Sequence, residues 1–258
     1  MSEPLVDIII PVFNSVKFID RTINSALSQT YQNIRIILCD DGSTDGTYEY
    51  LFDKFKNNER IILLRNQYEK GSSGARLTAL KESDAEWVAY LDSDDEWKPE
   101  KIAFQLAFCL KNNVDFSYSD YEVYGFKTGI VRSINAIHSS KFFLGNFFGT
   151  STVMHRRKLF REFPTNIKKR TDYLMWLSYS NKNDFVARRV PGLLTRYNKQ
   201  ENSLSTGAFS NLSYHIKVIM ITLSSSYAFA LMCALTHVTF NVFRKRKLFK
   251  FINRINLL

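Results

Sequence analysis

Short apolar runs alternate with helix-length amphipathic stretches through the first 112 residues. Continuous or nearly continuous apolar segments predict strands at Leu5–Val12, Ile34–Cys39, Arg60–Leu64 and Trp87–Leu91. Between and after them, apolar positions recur at helical spacing and predict helices near Val16–Ser28, Thr44–Lys56, Ser73–Lys81 and Pro99–Lys111. Four βα units in succession imply a mainly parallel sheet covered on both faces by helices. Beyond Asn112 the rhythm is less regular. "VDFSYSDYEVYG", "GIVRSI" and "TSTVMHR" read as strands, and "TDYLMWLSYS" as a short helix with Leu174, Trp176 and Leu177 facing inward. With no repeat or low-complexity linker to separate the halves, residues 1–205 read as one domain and 206–258 as a helical tail.

Ligands of parallel α/β sheets bind beyond the carboxyl ends of the strands. Two acidic loops fall there, "CDDGSTDGT" after the second strand and "DSDDEW" after the fourth. The second places Asp92, Asp94, Asp95 and Glu96 within five positions, in a chain of net charge +10. Two carboxylates about 5 Å apart at an effective dielectric of about 20 repel by roughly 3 kcal/mol, so a bound cation would relieve the crowding. Neither loop is an EF-hand. Counted from Asp41, the twelfth position is Phe52 where that loop needs Glu, and "DSDDEW" has Trp97 where it needs Gly. Plain structural roles compete for these residues: Thr44 or Asp45 as a helix cap, and "DSDD" as a solvated turn ahead of a helix that starts near Pro99. The spacing of Asp92 and Asp94 suits a different task, one carboxylate on a ribose hydroxyl and one on a divalent ion whose shell phosphate oxygens complete.

The other chemistry-bearing patterns are missing. "EKGSSGARLTAL" has neither the P-loop nor the dinucleotide-binding glycine spacing, which argues against ATP hydrolysis, nucleotidyl transfer and dinucleotide binding. Metal plus Arg76 would hold the phosphates instead. Three cysteines without CxxC spacing and four histidines without a ligand motif predict reduced thiols and no structural zinc. The opening "MSEPLVDIIIPVFN" lacks a basic region before its apolar run, so it predicts no leader and a cytosolic domain.

Four ordered motifs, "VDIIIPVFN", "SALSQTYQNIRIILCDDGSTDGT", "GSSGARLTAL" and "VAYLDSDDEWKP", resemble family 2 glycosyltransferases of the bacterial surface-polysaccharide type, over roughly residues 5–205. The resemblance implies a GT-A fold, a Rossmann-like mainly parallel sheet flanked by helices, here followed by a membrane-associating tail. It implies that Pro11, Val12 and Phe13 line the base pocket of a nucleotide-sugar donor, that Asp41 meets the base with Asp40 beside it, and that Arg76 sits near the donor. Asp92 would contact ribose with Ser93 beside it, and Asp94 would bind Mn2+ or Mg2+. A later aspartate before a "WL" pair is the family's general base. "RTDYLMWL" supplies Asp172 for that role and Trp176 as a substrate-binding candidate, although Asp172 could equally be a helix-terminal carboxylate. Two positions depart from the pattern: Thr171 replaces a common acidic residue, and Gln200 stands where His is frequent, which puts metal affinity in question.

These roles imply one inverting displacement. The leaving diphosphate is stabilised by the ion while Asp172 removes the acceptor hydroxyl proton from the opposite face of the sugar. The implied reaction moves a hexose, from a UDP-sugar for preference, to a lipid-linked saccharide acceptor in O-antigen or capsule biosynthesis. A nucleotide-sugar or glycan binding protein that has lost transfer is the alternative from another class.

After Glu201 the charged residues are Lys217, Arg244, Lys245, Arg246, Lys247, Lys250 and Arg254, so the tail carries most of the net positive charge. Val218 to Phe243 contains no formal charge, which meets the length of a membrane span, but its Ser, Thr and Asn content and the basic residues that follow oppose one. Leu248, Phe251, Ile252, Ile255 and Leu258 share a helical face. The expectation is an in-plane helix on an anionic membrane surface, at the cytoplasmic face of the plasma membrane, with a span, a re-entrant hairpin or packing on the domain as the other readings. The interleaved apolar residues favour lipid over nucleic acid.

Overall fold

The computed structural model describes residues 3–142, 145–167, 169–180, 185–200, 208–223 and 228–236. Its first half is built from β1 (Val6–Val12), α1 (Ile19–Leu27), β2 (Ile34–Asp40), α2 (Thr47–Phe55), β3 (Ile61–Arg65), α3 (Ser72–Glu82) and β4 (Trp87–Tyr90). The predicted elements are all present, with ends shifted by a few residues. β1 lies between β2 and β4 and runs parallel to both, and β3 lies parallel outside β2. Every residue of β1 is buried, as expected of a central parallel strand. Its one charged member, Asp7, is tied off by a two-point ion pair from Arg35 at 2.9 and 2.8 Å.

The acidic loop after β4 runs straight into β5 (Glu96–Trp97), a strand that was not anticipated, and then into α4 (Lys101–Asn112). The second half contributes β6 (Phe116–Gly125), β7 (Gly129–Val131), β8 (Ala136–His138), α5 (Ser139–Phe142), β9 (Met154–Arg156), α6 (Thr171–Tyr179) and β10 (Val186–Lys199). The described strands form one sheet in the order β3-β2-β1-β4-β9-β6-β10-β5, with β7 paired to β6 and β8 to β10. β9 is antiparallel to β4 and β6, and β10 returns parallel to β6 before pairing antiparallel with β5. "TSTVMHR" is therefore only half a strand, since Thr150–Thr152 form a 3-10 turn ahead of β9. The long β10 went unread because a Pro-Gly pair, Pro191 and Gly192, interrupts its apolar pattern, and the ladder to β6 shifts register just there.

Two apolar layers flank the sheet. One joins α1, α4 and the outer faces of β1 and β2. The other is rich in aromatic residues: Trp176 meets Tyr90, Phe116, Phe148 and Tyr179 at ring separations of 5.1 to 5.9 Å. His155 lies in this layer, buried and pushed down to about 4 by desolvation, so it is neutral at physiological pH, with the Tyr90 hydroxyl 2.8 Å from Nε2.

The aromatic layer does not stop at residue 205. In α7 (Ala208–Leu223), Ile216, Val218 and Ile219 enter it, as do Ala230, Cys233 and Ala234 of the helix at 228–236. What the sequence assigns to a tail thus packs in part on the domain. No described helix is long and apolar enough to cross a membrane. The amphipathic stretch at 248–258 lies outside the described residues.

Candidate active site

Register brings the two acidic loops together. Val12 ends β1 directly opposite Asp40, and the amide of Asp41 donates to the Val12 carbonyl at 2.8 Å. Three loops are then stitched by short polar side chains. Asn14, held at φ 47°, accepts from the Thr44 amide, and Ser15 binds the Thr47 hydroxyl through its amide and the Ser93 hydroxyl through its own, at 3.0 and 2.8 Å. Ser93 thus serves as a brace between the first and fourth strands' loops. Asp45 accepts from the Thr47 amide just ahead of α2, but the N-cap position is Gly46, not Thr44 or Asp45 as the cap reading had it.

Beside this seam lies a pocket of about 250 Å3 lined by Asp40, Asp41, Gly42, Arg65, Asn66, Tyr68 and Lys70. Asp40 caps its own loop by accepting the Gly42 and Ser43 amides. Asp41 is fixed through Oδ1 by Asn66 Nδ2 at 2.6 Å and the Gly71 amide at 2.9 Å. Arg65, Asn66 and Tyr68 were not anticipated; they follow β3, whose carboxyl end is as much a ligand-binding position as those of β1 and β2. Phe13 stands 45% exposed at the rim with the Lys70 ammonium 4.6 Å from its ring centre, whereas Pro11 and Val12 are buried beneath it. Gly74 explains why a glycine recurs in "GSSGAR": a Cβ there would sit 2.2 Å from the Glu69 carbonyl oxygen, so α3 packs against this loop only without a side chain.

The crowded acids divide into two kinds. Glu96 is neutralised by Arg21 and Arg196 and accepts from the Tyr124 hydroxyl, and Asp95 is fully buried, accepting from the Ser151 hydroxyl and the Asn198 amide. Both anchor the loop. Desolvation, with the charges of Asp92 and Asp94 added, holds Asp95 well above the carboxylate range. Asp92 and Asp94 remain at the surface of the crevice. Arg76, 5% exposed on α3, donates to Asp92 at 2.6 Å. Burial pushes Asp94 up to about 6, and the neighbouring Asp92 charge adds to the rise against a 2.6 Å hydrogen bond from the Gln200 amide nitrogen.

Asp172 sits in the first turn of α6, partly buried. Desolvation raises its carboxyl above the ordinary value, and the charges of Arg76 and Arg170 pull against that. The charges of Arg76 and Asp92 both act on Asp172, and the Ser72–Thr171 bond sets the start of α6 against α3, so the base candidate lies near the donor loop. The helix start is held from several sides. Arg170 adopts φ 58°, its guanidinium donates to His215 of α7 at 3.0 Å, the His215 and Tyr173 rings stack at 4.9 Å, and Thr171 bonds Ser72 of α3 at 3.0 Å. Thr171, the departure from the acidic pattern, is thus a helix-to-helix tie. Trp176 is corrected: it is 0% exposed in the aromatic layer, one turn below Asp172, and touches no crevice. A residue four positions after the base at the helix start necessarily lies beneath it, which is why "WL" marks the site without being part of it.

Among the described residues no group of three or more His, Cys, Asp and Glu side chains forms a ready-made metal cluster. The donor set that does exist, Asp94 with its pKa elevated by burial and a like charge, suits a hard divalent ion that takes one or two protein carboxylates and fills its shell from a diphosphate.

The sheet is mixed and not mainly parallel, since β5, β7, β8 and β9 pair antiparallel. But β1–β4 run parallel and carry a pocket, an acidic pair and a buried arginine at their carboxyl ends, the architecture of a GT-A glycosyltransferase. The chain belongs to glycosyl transferase family 2, whose model matches residues 7–175. It is 34% identical over 218 residues to the Escherichia coli UDP-Glc:alpha-D-GlcNAc-diphosphoundecaprenol beta-1,3-glucosyltransferase WfgD, covering 82% of this chain and 84% of that one. It is 33% identical to the Bacillus subtilis putative teichuronic acid biosynthesis glycosyltransferase TuaG, covering 79% and 82%. Staphylococcus aureus TarS in complex with UDP-GlcNAc shares the fold at a TM-score of 0.70 and 20% identity, covering 92% of this chain and 73% of the other.

Proposed function

We propose that this glycosyltransferase transfers glucose from UDP-glucose, with inversion, to a lipid-diphosphate-linked saccharide in the assembly of a bacterial surface polysaccharide. The donor and acceptor classes are those of WfgD, to which the chain is similar over most of both lengths. The observation that supports the reading is the Arg76–Asp92 bond taken with the Ser72–Thr171 bond, which brings the start of α6, and Asp172 with it, against the helix that carries Arg76.

In this reading the base enters the pocket beside Asp41 and Phe13, with Asp40 shaping the loop around it. The ribose lies against Asp92, which Arg76 orients. Asp94 would hold Mn2+ or Mg2+, which when bound would supply positive charge to the leaving diphosphate. Asp172 takes the proton of the acceptor hydroxyl as that oxygen attacks the anomeric carbon. Its environment balances the two needs of a base: desolvation raises basicity, while Arg76 and Arg170 keep the carboxyl ionised. The enzyme works peripherally at the cytoplasmic membrane face, where the basic residues of 244–254 meet anionic lipid.

A panel of nucleotide sugars, each offered with a GlcNAc-diphosphate-lipid acceptor in the presence and absence of Mn2+, tests this. Metal-dependent, UDP-glucose-selective formation of a β-linked disaccharide is expected. Donor binding without any product across the panel would favour the binding-protein alternative.

A further inference from the structure

The sequence pattern assigns nothing to residues 145–149 and the start of a strand to 150–153, yet this segment reaches both Asp172 and the loop after β4. Gly145 turns the chain at the end of α5 with φ 139°, a backbone region open to glycine, and sets Asn146 beside α6. Asn146 Nδ2 donates to Asp172 Oδ2 at 2.5 Å. Five residues on, Ser151 accepts from the Asp92 amide and donates to Asp95. The other end of the Asn146 amide, Oδ1, is buried and has no hydrogen-bond partner. A buried acceptor left unsatisfied costs about 1–3 kcal/mol, so such an atom in a binding crevice calls for a donor from outside the chain.

The direction of the amide is chemically informative. An NH2 group facing a carboxylate favours the ionised form, whereas an amide oxygen in that place would be repelled by it. The charged and titratable groups acting on Asp172 are Arg76 from α3, Asp92 from the loop after β4, Arg170 before the helix and Tyr173 through its amide. None of these sits on the loop of Asn146; the Tyr173 amide holds Oδ1 and Asn146 holds Oδ2, so the two hydrogen bonds together fix the carboxylate that Arg76, Asp92 and Arg170 bias electrically.

We propose that Asn146 is the positioning residue of the base and a contact for the acceptor: its amide nitrogen holds Asp172 ionised and oriented, and its amide oxygen receives a hydroxyl or amide N–H of the incoming acceptor sugar. This rests on Asp172 being the base. The two ends of one amide then couple acceptor binding to base orientation, because a correctly placed sugar fixes the amide plane whose opposite edge holds the carboxylate.

The test is the pH dependence of kcat/KM for the acceptor, at saturating UDP-glucose, in the full-length wild type, Asn146→Ala, Asn146→Asp and Asp172→Asn, with UDP binding measured by calorimetry in each. Asn146→Ala should move the acidic limb about one pH unit alkaline, the scale of a lost charge-assisted hydrogen bond, and raise acceptor KM about 10-fold. UDP affinity should stay within error. Asn146→Asp, nearly isosteric and so informative even if the alanine variant fails to fold, should move the limb further, because a second carboxylate then faces the first. An inactive Asp172→Asn beside Asn146 variants with an unmoved limb would overturn this proposal alone. A moved limb with unchanged acceptor KM would overturn the acceptor contact. An Asp172→Asn variant that retains transfer would overturn the base assignment and this proposal with it.

Discussion

The donor half and the acceptor half of the crevice are built by different rules. On the donor side the residues cluster at the carboxyl ends of strands in a repeating βα unit: Asp40 ends β2 and Asp41 follows it, Arg65 ends β3 and Asn66 follows it, and Asp92 lies just beyond β4. On the acceptor side nothing repeats. Asp172 sits on a short helix and Asn146 on an irregular loop. In the proposed reading the donor side binds a nucleotide diphosphate, a constant shape that a fixed strand edge can hold. The acceptor varies between enzymes, and loops and helix starts can change without disturbing the sheet. Arg76 is the point where the two halves meet, since it carries its charge to Asp92 and to Asp172.

The sharpest way to separate the halves is Asp172→Asn. Transfer should fall by about 100-fold or more, the scale of losing a general base. If Asp172 were only a helix-terminal group, Asn would serve nearly as well and the rate would barely change. Removing the joint itself should injure both sides. Arg76→Met leaves Asp92 without its partner, and UDP affinity should drop about 10-fold for a lost charge-assisted hydrogen bond. The acidic limb of the transfer profile should move alkaline in the same variant, as Asp172 loses a charge that lowers its pKa. A change in only one of the two quantities would break the claim that Arg76 joins them.

A smaller effect, confined to the donor side, is expected of Gly74→Ala. The added Cβ meets the Glu69 carbonyl and the Asn66 side chain, so the loop that holds Asp41 must shift. Overpacking of this kind costs about 1–3 kcal/mol, read as a lower Tm together with weaker UDP binding and unchanged acceptor KM.

The smallest effect concerns pH. Asp94 has its folded-state pKa raised to about 6 from an ordinary 3.8, so the folded chain binds that proton more tightly than the unfolded chain does. Its ionisation therefore costs stability: the cost is absent below the unfolded pKa, grows between about pH 4 and 6, and is fully present above. Asp95 and Asp172, also raised, act with the same sign. The Tm of the metal-free protein should decline over this range, and Asp94→Asn should flatten the decline. Mn2+ with UDP should restore Tm most at neutral pH.

The contrast between the halves also decides what the sequence could tell. The strands β1 to β4 were legible because burial on both faces demands continuous apolar runs, and the loops after β2 and β4 because carboxylates crowded at a strand end are costly without a purpose. Asp172 was found by resemblance, since a lone Asp at a helix start has an ordinary explanation. Trp176 was misread for the same reason, its motif being a packing consequence of the base's position. Asn66, Asn146 and Ser151 gave no signal, because an amide or hydroxyl acquires its role from neighbours distant in the sequence, 26 positions away for Asn146 and Asp172 and 59 for Ser151 and Asp92. For the tail the sequence left lipid contact and packing on the domain both open, because apolar residues that cover a domain core and those that meet a lipid surface look alike, and His215, which reaches Arg170 and Tyr173, carries no periodic signature.

The division of labour itself is tested most directly by calorimetry of UDP binding, with and without Mn2+, on Asp94→Asn and Asp172→Asn side by side. Asp94→Asn should bind UDP with no response to Mn2+, and Asp172→Asn should match the wild type in affinity and in metal response. A metal response that survives in Asp94→Asn, or a loss of UDP affinity in Asp172→Asn equal to that in Asp94→Asn, would contradict the assignment of donor and acceptor chemistry to separate halves of the crevice.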